Sequence, residues 1–198
     1  MGGSLAKRLL SRHEVLIGSR SAERAVDSAR KLGASGSGSY REVATRADAV
    51  FLTVPWWGVD EALAALGSLD GKILVDVTNP YTDETYSTMA TFNGSSAAEE
   101  IQKKQPTARV VKAWNHVLAP VVNSSPDFGG TPASVFISGN DNDAKLVVAA
   151  LARDIGFDPI DAGPLSSAHY LEAAAGLMVT LAYDVGLGTD VAMRLLRR

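Results

Sequence analysis

A short polar and basic stretch, Gly18-Ser19-Arg20, follows the first predicted strand of the chain, Glu14 to Ile17. Two glycines and a predicted helix over Gly2 to Ser11 precede that strand, and this order is typical of a dinucleotide-binding unit. The second strand of such a unit ends at the adenine ribose, where an acidic residue binds the 2′-hydroxyl of NAD. Ser19 and Arg20, with Arg24 one helical turn further on, would instead bind a 2′-phosphate, so they predict NADP.

Three further predicted strands end in polar or aromatic residues, at Val54-Pro55-Trp56, Thr78-Asn79-Pro80 and Trp114-Asn115-His116. Ligands of an open parallel sheet bind outside the carboxyl ends of its strands, so we expect the four stretches to converge on one edge. His116 has two interpretations at this point: it is a proton donor, or it is a loop histidine bonded to the backbone.

Strand-like and helix-like segments alternate along the chain, which is the pattern of a parallel sheet covered by helices. Further strands are predicted at Ala49–Thr53, Lys72–Val77, Arg109–Lys112, Ala133–Ser138 and Phe157–Ile160. Helices are predicted at Ser21–Leu32, Tyr40–Arg46, Val59–Leu66, Ser95–Lys104 and Asp141–Arg153. Ala34 to Ser39 reads as a loop or a poor strand, Pro120 to Pro132 as a long loop, and Ser166 or Ser167 as the cap of a long helix.

No linker divides the chain, so we predict a single α/β domain over residues 1–198. Its expected architecture is a Rossmann-like, doubly wound parallel sheet with a short helical C-terminal extension over residues 165–198.

Composition excludes several classes of protein. The 19 basic and 22 acidic residues give a net charge of −3 with no basic stripe, which argues against nucleic acid as a partner. The chain has no cysteine and three scattered histidines, so we expect no metal site. The longest apolar run, Ala49 to Trp57, is too short to span a bilayer, and we predict a cytoplasmic protein without a membrane partner.

Over nearly its whole length the chain resembles the NADP-dependent oxidoreductases of the coenzyme F420 type. The resemblance rests on Gly2-Gly3-Ser4-Leu5-Ala6-Lys7, His13 to Arg20, Thr53-Val54-Pro55-Trp56, Asp76-Val77-Thr78-Asn79-Pro80, Lys112-Ala113-Trp114-Asn115 and Asp161-Ala162-Gly163-Pro164-Leu165. It implies an enzyme that transfers hydride between NADP(H) and a deazaflavin (coenzyme F420) or flavin-type co-substrate. Alignment of the two rings, rather than an acid or a base, would carry such a reaction.

The resemblance also assigns residues to the two ligands. Met1 and Gly2 would lie at the third glycine of the dinucleotide fingerprint, and Thr53, Val54 and Pro55 against the adenosine half. Thr78, Asn79 and Pro80 would lie nearer the nicotinamide, with Asn115 close by. An apolar wall for the second planar ring would come from Trp56, Trp57, Trp114, Leu118 and Leu187. Trp56 and Trp57 could instead cover the core beside the following helix, and we expect only one of them to face the site.

The resemblance further implies that the first strand and the first two glycines of the fingerprint lie ahead of Met1. Without them, two buried strands would lack a neighbour unless another segment fills the position. A homodimer through the C-terminal helices is a further expectation. The alternative functions are reduction of another small acceptor, such as a flavin or a ferric complex, and a redox sensor that binds NADPH without turnover. An inactive truncated product is the third alternative.

Overall fold

A computed structural model of the chain describes residues 1–86 and 88–198. Its helices are α1 (Gly2–Leu9), α2 (Ala22–Leu32), α3 (Tyr40–Arg46), α4 (Val59–Leu66), α5 (Ala97–Lys104), α6 (Ala119–Asn123), α7 (Asn142–Asp154) and α8 (Ala168–Val179). Its strands are β1 (Leu16–Gly18), β2 (Gly36–Gly38), β3 (Ala49–Leu52), β4 (Ile73–Asp76), β5 (Arg109–Lys112), β6 (Ser134–Gly139) and β7 (Asp158–Asp161).

The strands form two sheets. β1 and β2 pair in parallel, and the other five strands form a sheet in the order β3-β4-β5-β6-β7. In that sheet Leu52 is opposite Asp76 and Asp76 is opposite Lys112, so β3, β4 and β5 end at the same edge. This parallel part of the sheet therefore presents the residues that follow its strands to one region of the surface.

Helices cover both faces of the larger sheet, which confirms the predicted α/β class. Ile73 and Val75 pack in a core with α1, α6 and α7, whereas Leu74 between them packs in a second core with α3, α4 and α5. This split follows from the alternation of side chains along a strand, and it makes the sheet doubly wound.

A wide cleft lies between the two sheets. Within the described residues β1 pairs only with β2 and β3 only with β4, and the remaining edges of β1 and β3 line a cavity of about 1030 Å³. Val15, Leu16 and Ile17 contribute one wall and Val50 and Phe51 another. We call this space the β1–β3 cleft.

The helix boundaries agree well with the sequence where the capping residues are strong. Ser21 caps α2 by accepting a hydrogen bond from the Arg24 amide, and Gly33 ends that helix in the left-handed conformation. Ser39 and Glu42 form a reciprocal capping box that starts α3.

Two features differ from the sequence predictions, and a third decides between two alternatives that the sequence left open. The predicted loop over residues 120–132 contains the end of α6, because Pro120 occupies the first turn, where a missing amide costs nothing. The segment between residues 34 and 39 forms β2, which confirms the strand interpretation. β6 runs antiparallel to β5, so the sheet is mixed rather than wholly parallel.

The C-terminal extension is helical only in its first part. A short 3₁₀ turn ends at Ser167, whose side chain makes no capping bond, and α8 continues through a π-helical turn to Asp184. Residues 185–198 contain no helix, and the Ser134 amide at the start of β6 donates a 2.8 Å hydrogen bond to the Met193 carbonyl. In the described part of the chain, every helix is too short or too polar to cross a membrane.

Candidate active site

The N-terminus of α1 lies against the residue that follows β3. A Cβ atom added to Gly2 would overlap Oγ1 of Thr53, so a side chain at this position would force the helix away from the sheet. Such a contact between a helix start and a strand end is the geometry in which backbone amides bind phosphate groups. Gly2, Thr53 and Val54 all line the β1–β3 cleft, which brings together three of the predicted cofactor residues.

The predicted 2′-phosphate residues lie on the loop after β1. The Ser19 amide donates to the Gly38 carbonyl, and its hydroxyl accepts from the Ser21 amide at 3.3 Å, so the loop has a defined backbone. The Arg20 guanidinium forms a 2.8 Å ion pair with Glu61 of α4, and both side chains are about 60% exposed, at 62% and 61%. Arg20 therefore has a partner that a 2′-phosphate would have to replace, while Arg24 is also exposed on α2.

The turn after β4 is fixed by a buried carboxylate. Oδ1 of Asp76 accepts hydrogen bonds from the amide and the hydroxyl of Thr78, both at 2.8 Å. Oδ2 of Asp76 accepts from Nζ of Lys112 on the neighbouring strand at 2.8 Å. Lys112 and Asp76 are both 0% exposed, so this ion pair is shielded from solvent.

Two asparagines tie the turns after β4 and β5 together. Nδ2 of Asn79 donates to the Asn115 carbonyl at 2.7 Å, and Nδ2 of Asn115 donates to Oδ1 of Asn79 at 2.9 Å. Asn115 also donates to the Leu171 carbonyl of α8 at 2.8 Å. These predicted site residues therefore hold each other in place at the edge of the sheet.

Glu172 of α8 completes the buried polar cluster. Its carboxylate lies 3.2 Å from Nζ of Lys112 and accepts hydrogen bonds from the amides of Ala97 and Ala98 at the start of α5. The cluster has two carboxylates and one ammonium group, and the partial positive charge of the α5 N-terminus offsets the excess negative charge.

A pocket of about 460 Å³ opens beside Pro80, and we call it the Pro80 pocket. Glu172 and His169 of α8 form one side of it, and residues 89–95 form another. Trp56 packs edge-on against Phe92 of this wall with ring centroids 5.6 Å apart. Trp57 is 45% exposed and contacts Tyr86 instead, so of the two tryptophans Trp56 lies nearer the pocket.

The structure corrects the predicted role of Trp114 and decides between the two interpretations of His116. Trp114 is wholly buried against Phe51 and cannot stack on an incoming ring. His116 is buried against Phe136, and burial lowers its pKa to about 4, with the charge of Lys112 acting in the same direction. A histidine that is neutral and enclosed is no proton donor, and its 3.4 Å contact with the Phe136 amide supports the backbone-bonded interpretation.

The remaining predicted residues occupy the edges of the site. Pro55 is exposed and starts the 3₁₀ turn that carries Trp56, and Met1 packs against the core beside α1. Leu187 is 58% exposed beyond the π-helical turn, and neither of the two cavities described above is lined by it. The cofactor and acceptor roles of these residues stay predictions.

Sequence reasoning did not predict that Asp76, Lys112 and Glu172 form one buried cluster. A lysine that ends a buried apolar strand is a signal that was available, because an ammonium group inside a protein needs an anionic partner. The partner itself was not visible, since Asp76 and Glu172 lie 36 and 60 residues away along the chain.

Comparison with known proteins gives a consistent result. A family model described as NADP oxidoreductase, coenzyme F420-dependent, matches residues 1–80. The F420-dependent NADP reductase of Methanothermobacter marburgensis is 32% identical over 201 residues, which cover 91% of this chain and 87% of that protein. The reductase of the same name from Methanocaldococcus jannaschii is 29% identical, covering 91% of this chain and 86% of its own.

A second kind of relative is a longer protein. The metalloreductase STEAP3 of Rattus norvegicus is 34% identical over 172 residues, and the match covers 86% of this chain but 33% of that protein. The chain therefore spans about a third of this relative.

Solved structures agree with the fold. A protein from Arthrobacter sp. FB24, described as a candidate F420-dependent NADP reductase, has 30% identity and a TM-score of 0.88, with 99% of this chain and 94% of that one covered. A reductive aminase from Aspergillus terreus in complex with NADPH and ethyl levulinate has 18% identity and a TM-score of 0.63, covering 92% of this chain and 59% of its own. At that identity the likeness shows the fold alone.

Proposed function

Because the chain belongs to the family of coenzyme F420-dependent NADP oxidoreductases, we propose that it transfers hydride between NADP(H) and a deazaflavin or flavin-type acceptor. The observation that carries the proposal is the edge of the sheet, where Gly2 lies against Thr53 and the Asn79–Asn115 pair lies beside the Pro80 pocket. One end of this edge suits a phosphate-bearing nucleotide, and the other offers a pocket for a second molecule.

The residues present fit a dinucleotide along this edge. Gly2 lets the α1 N-terminus lie close against Thr53, where the first amides of α1 would bind a pyrophosphate. Ser19, Arg20 and Arg24 would offer a hydroxyl and two guanidinium groups to a 2′-phosphate. Asn79 and Pro80 would contact the nicotinamide end. When bound, NADPH supplies the hydride.

The Pro80 pocket is the proposed acceptor site. Hydride transfer needs two rings held in contact and water kept out, rather than a proton-transferring side chain. Pro80 and Phe92 give this pocket apolar contacts, and Glu172 supplies a charged group at its wall. In this arrangement the protein's own contribution is orientation.

Likeness to a metalloreductase favours one alternative acceptor. The 34% identity with the metalloreductase STEAP3 supports a metal complex, such as a ferric complex, as the oxidant in place of a deazaflavin. Turnover of NADPH with coenzyme F420, then FMN, then a ferric chelate separates these acceptors. Tight NADPH binding without turnover of any of them would point instead to a redox sensor, and lack of binding to an inactive product.

The preference for NADP has its own test. Each charge-assisted hydrogen bond is worth about 1.5–3 kcal/mol, so Arg20→Ala should raise the KM for NADPH by about 10- to 150-fold and leave that for NADH nearly unchanged. Arg30→Ala is the matched control, because Arg30 lies on α2 and pairs with Asp27. This substitution should change neither the KM for NADPH nor the KM for NADH. Equal changes with both nucleotides would contradict the phosphate site.

A homodimer is also proposed, together with a cytoplasmic location. Large apolar side chains are exposed on α8 and just after it, with Tyr170 at 68%, Leu177 at 52% and Tyr183 at 61%. Exposed apolar patches of this kind often mark interfaces between subunits. Sedimentation equilibrium of the chain and of Leu177→Glu tests the proposal, which requires a dimeric mass that the substitution abolishes.

A further inference from the structure

Lys112 contacts three separate elements although it lies at the end of a buried strand. Its ammonium group donates to Asp76 Oδ2 at 2.8 Å and to the Thr78 carbonyl at 2.6 Å, and it lies 3.2 Å from Glu172 Oε1. An ammonium group has three N–H donors and no acceptor, so these contacts use all of its directions. The β4 turn, strand β5 and helix α8 thus meet at one charged atom.

We propose that Lys112 and Glu172 are positioning residues, which fix the Thr78-Asn79-Pro80 turn and α8 on either side of the Pro80 pocket. The inference rests on the proposed function, since it assigns these residues to the same pocket. Neither residue needs to touch the transferred hydride for this role.

A buried ion pair points to a role beyond stability, because apolar residues could stabilise the fold equally well. Replacement of buried ion pairs by well-packed apolar side chains is often neutral or stabilising. An apolar side chain at position 112 could not, however, hold the Thr78 carbonyl, whose direction sets the start of the turn that carries Asn79. The ammonium group of Lys112 therefore orients the Thr78 carbonyl, which apolar packing cannot do.

Glu172 extends the same constraint to two helices. Its carboxylate accepts from the Ala97 and Ala98 amides at 3.1 and 3.3 Å, which sets the register of α8 against the start of α5. One residue earlier, the Leu171 carbonyl accepts from Asn115. Consecutive residues of α8 are thus bound to the turn after β5 and to Lys112, and Lys112 and Asn115 in turn contact the turn after β4. A shift of α8 would therefore move the pocket wall and the Asn79–Asn115 pair together.

Hydrogen exchange in the ligand-free protein tests the inference without any assumption about turnover. The Tyr81 amide donates to Asn79 O at 2.8 Å and the Val117 amide to Trp114 O at 3.1 Å, so these amides report on the two turns. Glu172→Gln removes the charge and keeps the shape, and we expect both amides to exchange at least about tenfold faster. The matched control Glu100→Gln, on α5 but paired with Lys103, should leave both rates unchanged.

Kinetics separate a positioning role from a merely structural one. With an acceptor that the parent enzyme reduces, Glu172→Gln should lower kcat by about 10- to 100-fold and leave the KM for NADPH within about twofold, because the phosphate-binding end is untouched. Unchanged exchange at both turns, or kcat and KM changing by equal factors, would overturn the inference.

Failure of the proposed function gives a different result. If the parent reduces no acceptor, the proposed function fails, while the exchange rates still decide whether Lys112 and Glu172 fix the turns. If Glu172→Gln does not fold, hydrogen exchange and kinetics are measured instead on the double variant Asp76→Asn/Lys112→Met, which removes one charge of each sign.

Discussion

The two ends of the candidate site contain ion pairs of equal length in opposite surroundings. Arg20 and Glu61 lie 2.8 Å apart with side chains 62% and 61% exposed, whereas Lys112 and Asp76 lie 2.8 Å apart with both side chains at 0%. We refer to these ends as the ribose end and the ring end. The two ion-pair distances are equal, so the pairs differ in their exposure to solvent and in the residues around them.

That difference suits two separate tasks. At the ribose end a solvated arginine would exchange a weak partner for a phosphate at little cost, since exposed pairs are worth about 0–1 kcal/mol. At the ring end the proposed hydride transfer would depend on geometry, and the buried cluster holds its neighbours in one arrangement. The proposed site would thus combine an adaptable binding end with a preorganised reacting end.

The largest contrast should appear when each cation is removed. Lys112→Met leaves two buried carboxylates without their shared partner and should lower the free energy of unfolding by about 3–5 kcal/mol. Arg20→Ala should lower it by at most about 1 kcal/mol. Urea unfolding of both variants gives the two values, and similar losses in both would remove the distinction between the ends.

A strand added ahead of Met1 tests whether the β1–β3 cleft accepts one. Six β-branched residues joined to Met1 through a tight turn should enter the β1–β3 cleft, whose walls are the unpaired edges of β1 and β3 among the described residues. Burial of each side chain gains about 1.5–3 kcal/mol and ordering each residue costs about 1–2 kcal/mol, so we expect six residues to give a net gain on the order of 4 kcal/mol.

Hydrogen exchange identifies where an added strand binds. The amides of Leu16–Gly18 and Ala49–Leu52 should become more protected, and NADPH affinity should rise. An extension of equal length with aspartate at alternate positions is the control and should do neither. Unchanged exchange in β1 and β3 would mean that the cleft does not take a strand.

Acid should lower the free energy of unfolding through protonation of His116, which lies near the ring end. Its pKa is about 4 in the folded protein against 6.5 for the ordinary side chain, because burial disfavours the charged form. The unfolded chain therefore binds more protons between these values, and stability is lost as the pH falls through this window. His116→Gln should be less sensitive than the parent by about 2 kcal/mol between pH 7 and pH 5. Equal pH dependence of unfolding in both would contradict the buried neutral state.

The sequence predicted local structure well and contacts between distant segments poorly. Ser21 and Gly33 bound α2 through bonds to residues within a few positions, so the signal for that helix is contained in the helix itself. The same holds for Ser39 and Glu42 at α3. The antiparallel direction of β6 depends instead on how a segment of more than 20 residues returns to β5, and no short pattern encodes it.

The site shows the same division. Gly2 and Asn79 could be proposed from the sequence because a glycine at the start of a helix and a polar residue after a strand have local meaning. Trp114 was misassigned because the residue after a strand end can point into the core as readily as toward a ligand, and here its left-handed backbone, with φ of 57°, accompanies burial. Glu172 reaches Lys112 only through the packing of α8 on the sheet.

The smallest effect concerns the partner of Arg20. Glu61→Gln removes an exposed ion pair worth about 0.2–1 kcal/mol, so the free energy of unfolding should change by no more than that amount. The same change frees the guanidinium from a competing carboxylate, and the KM for NADPH should fall by about 1.5- to 5-fold while that for NADH stays constant. Asp60→Gln, whose partner is Lys104, removes a charge from the neighbouring position of α4 and controls for the general loss of negative charge. If both substitutions lower the KM equally, long-range charge rather than release of Arg20 is responsible, and the ribose end is less specific than its geometry indicates.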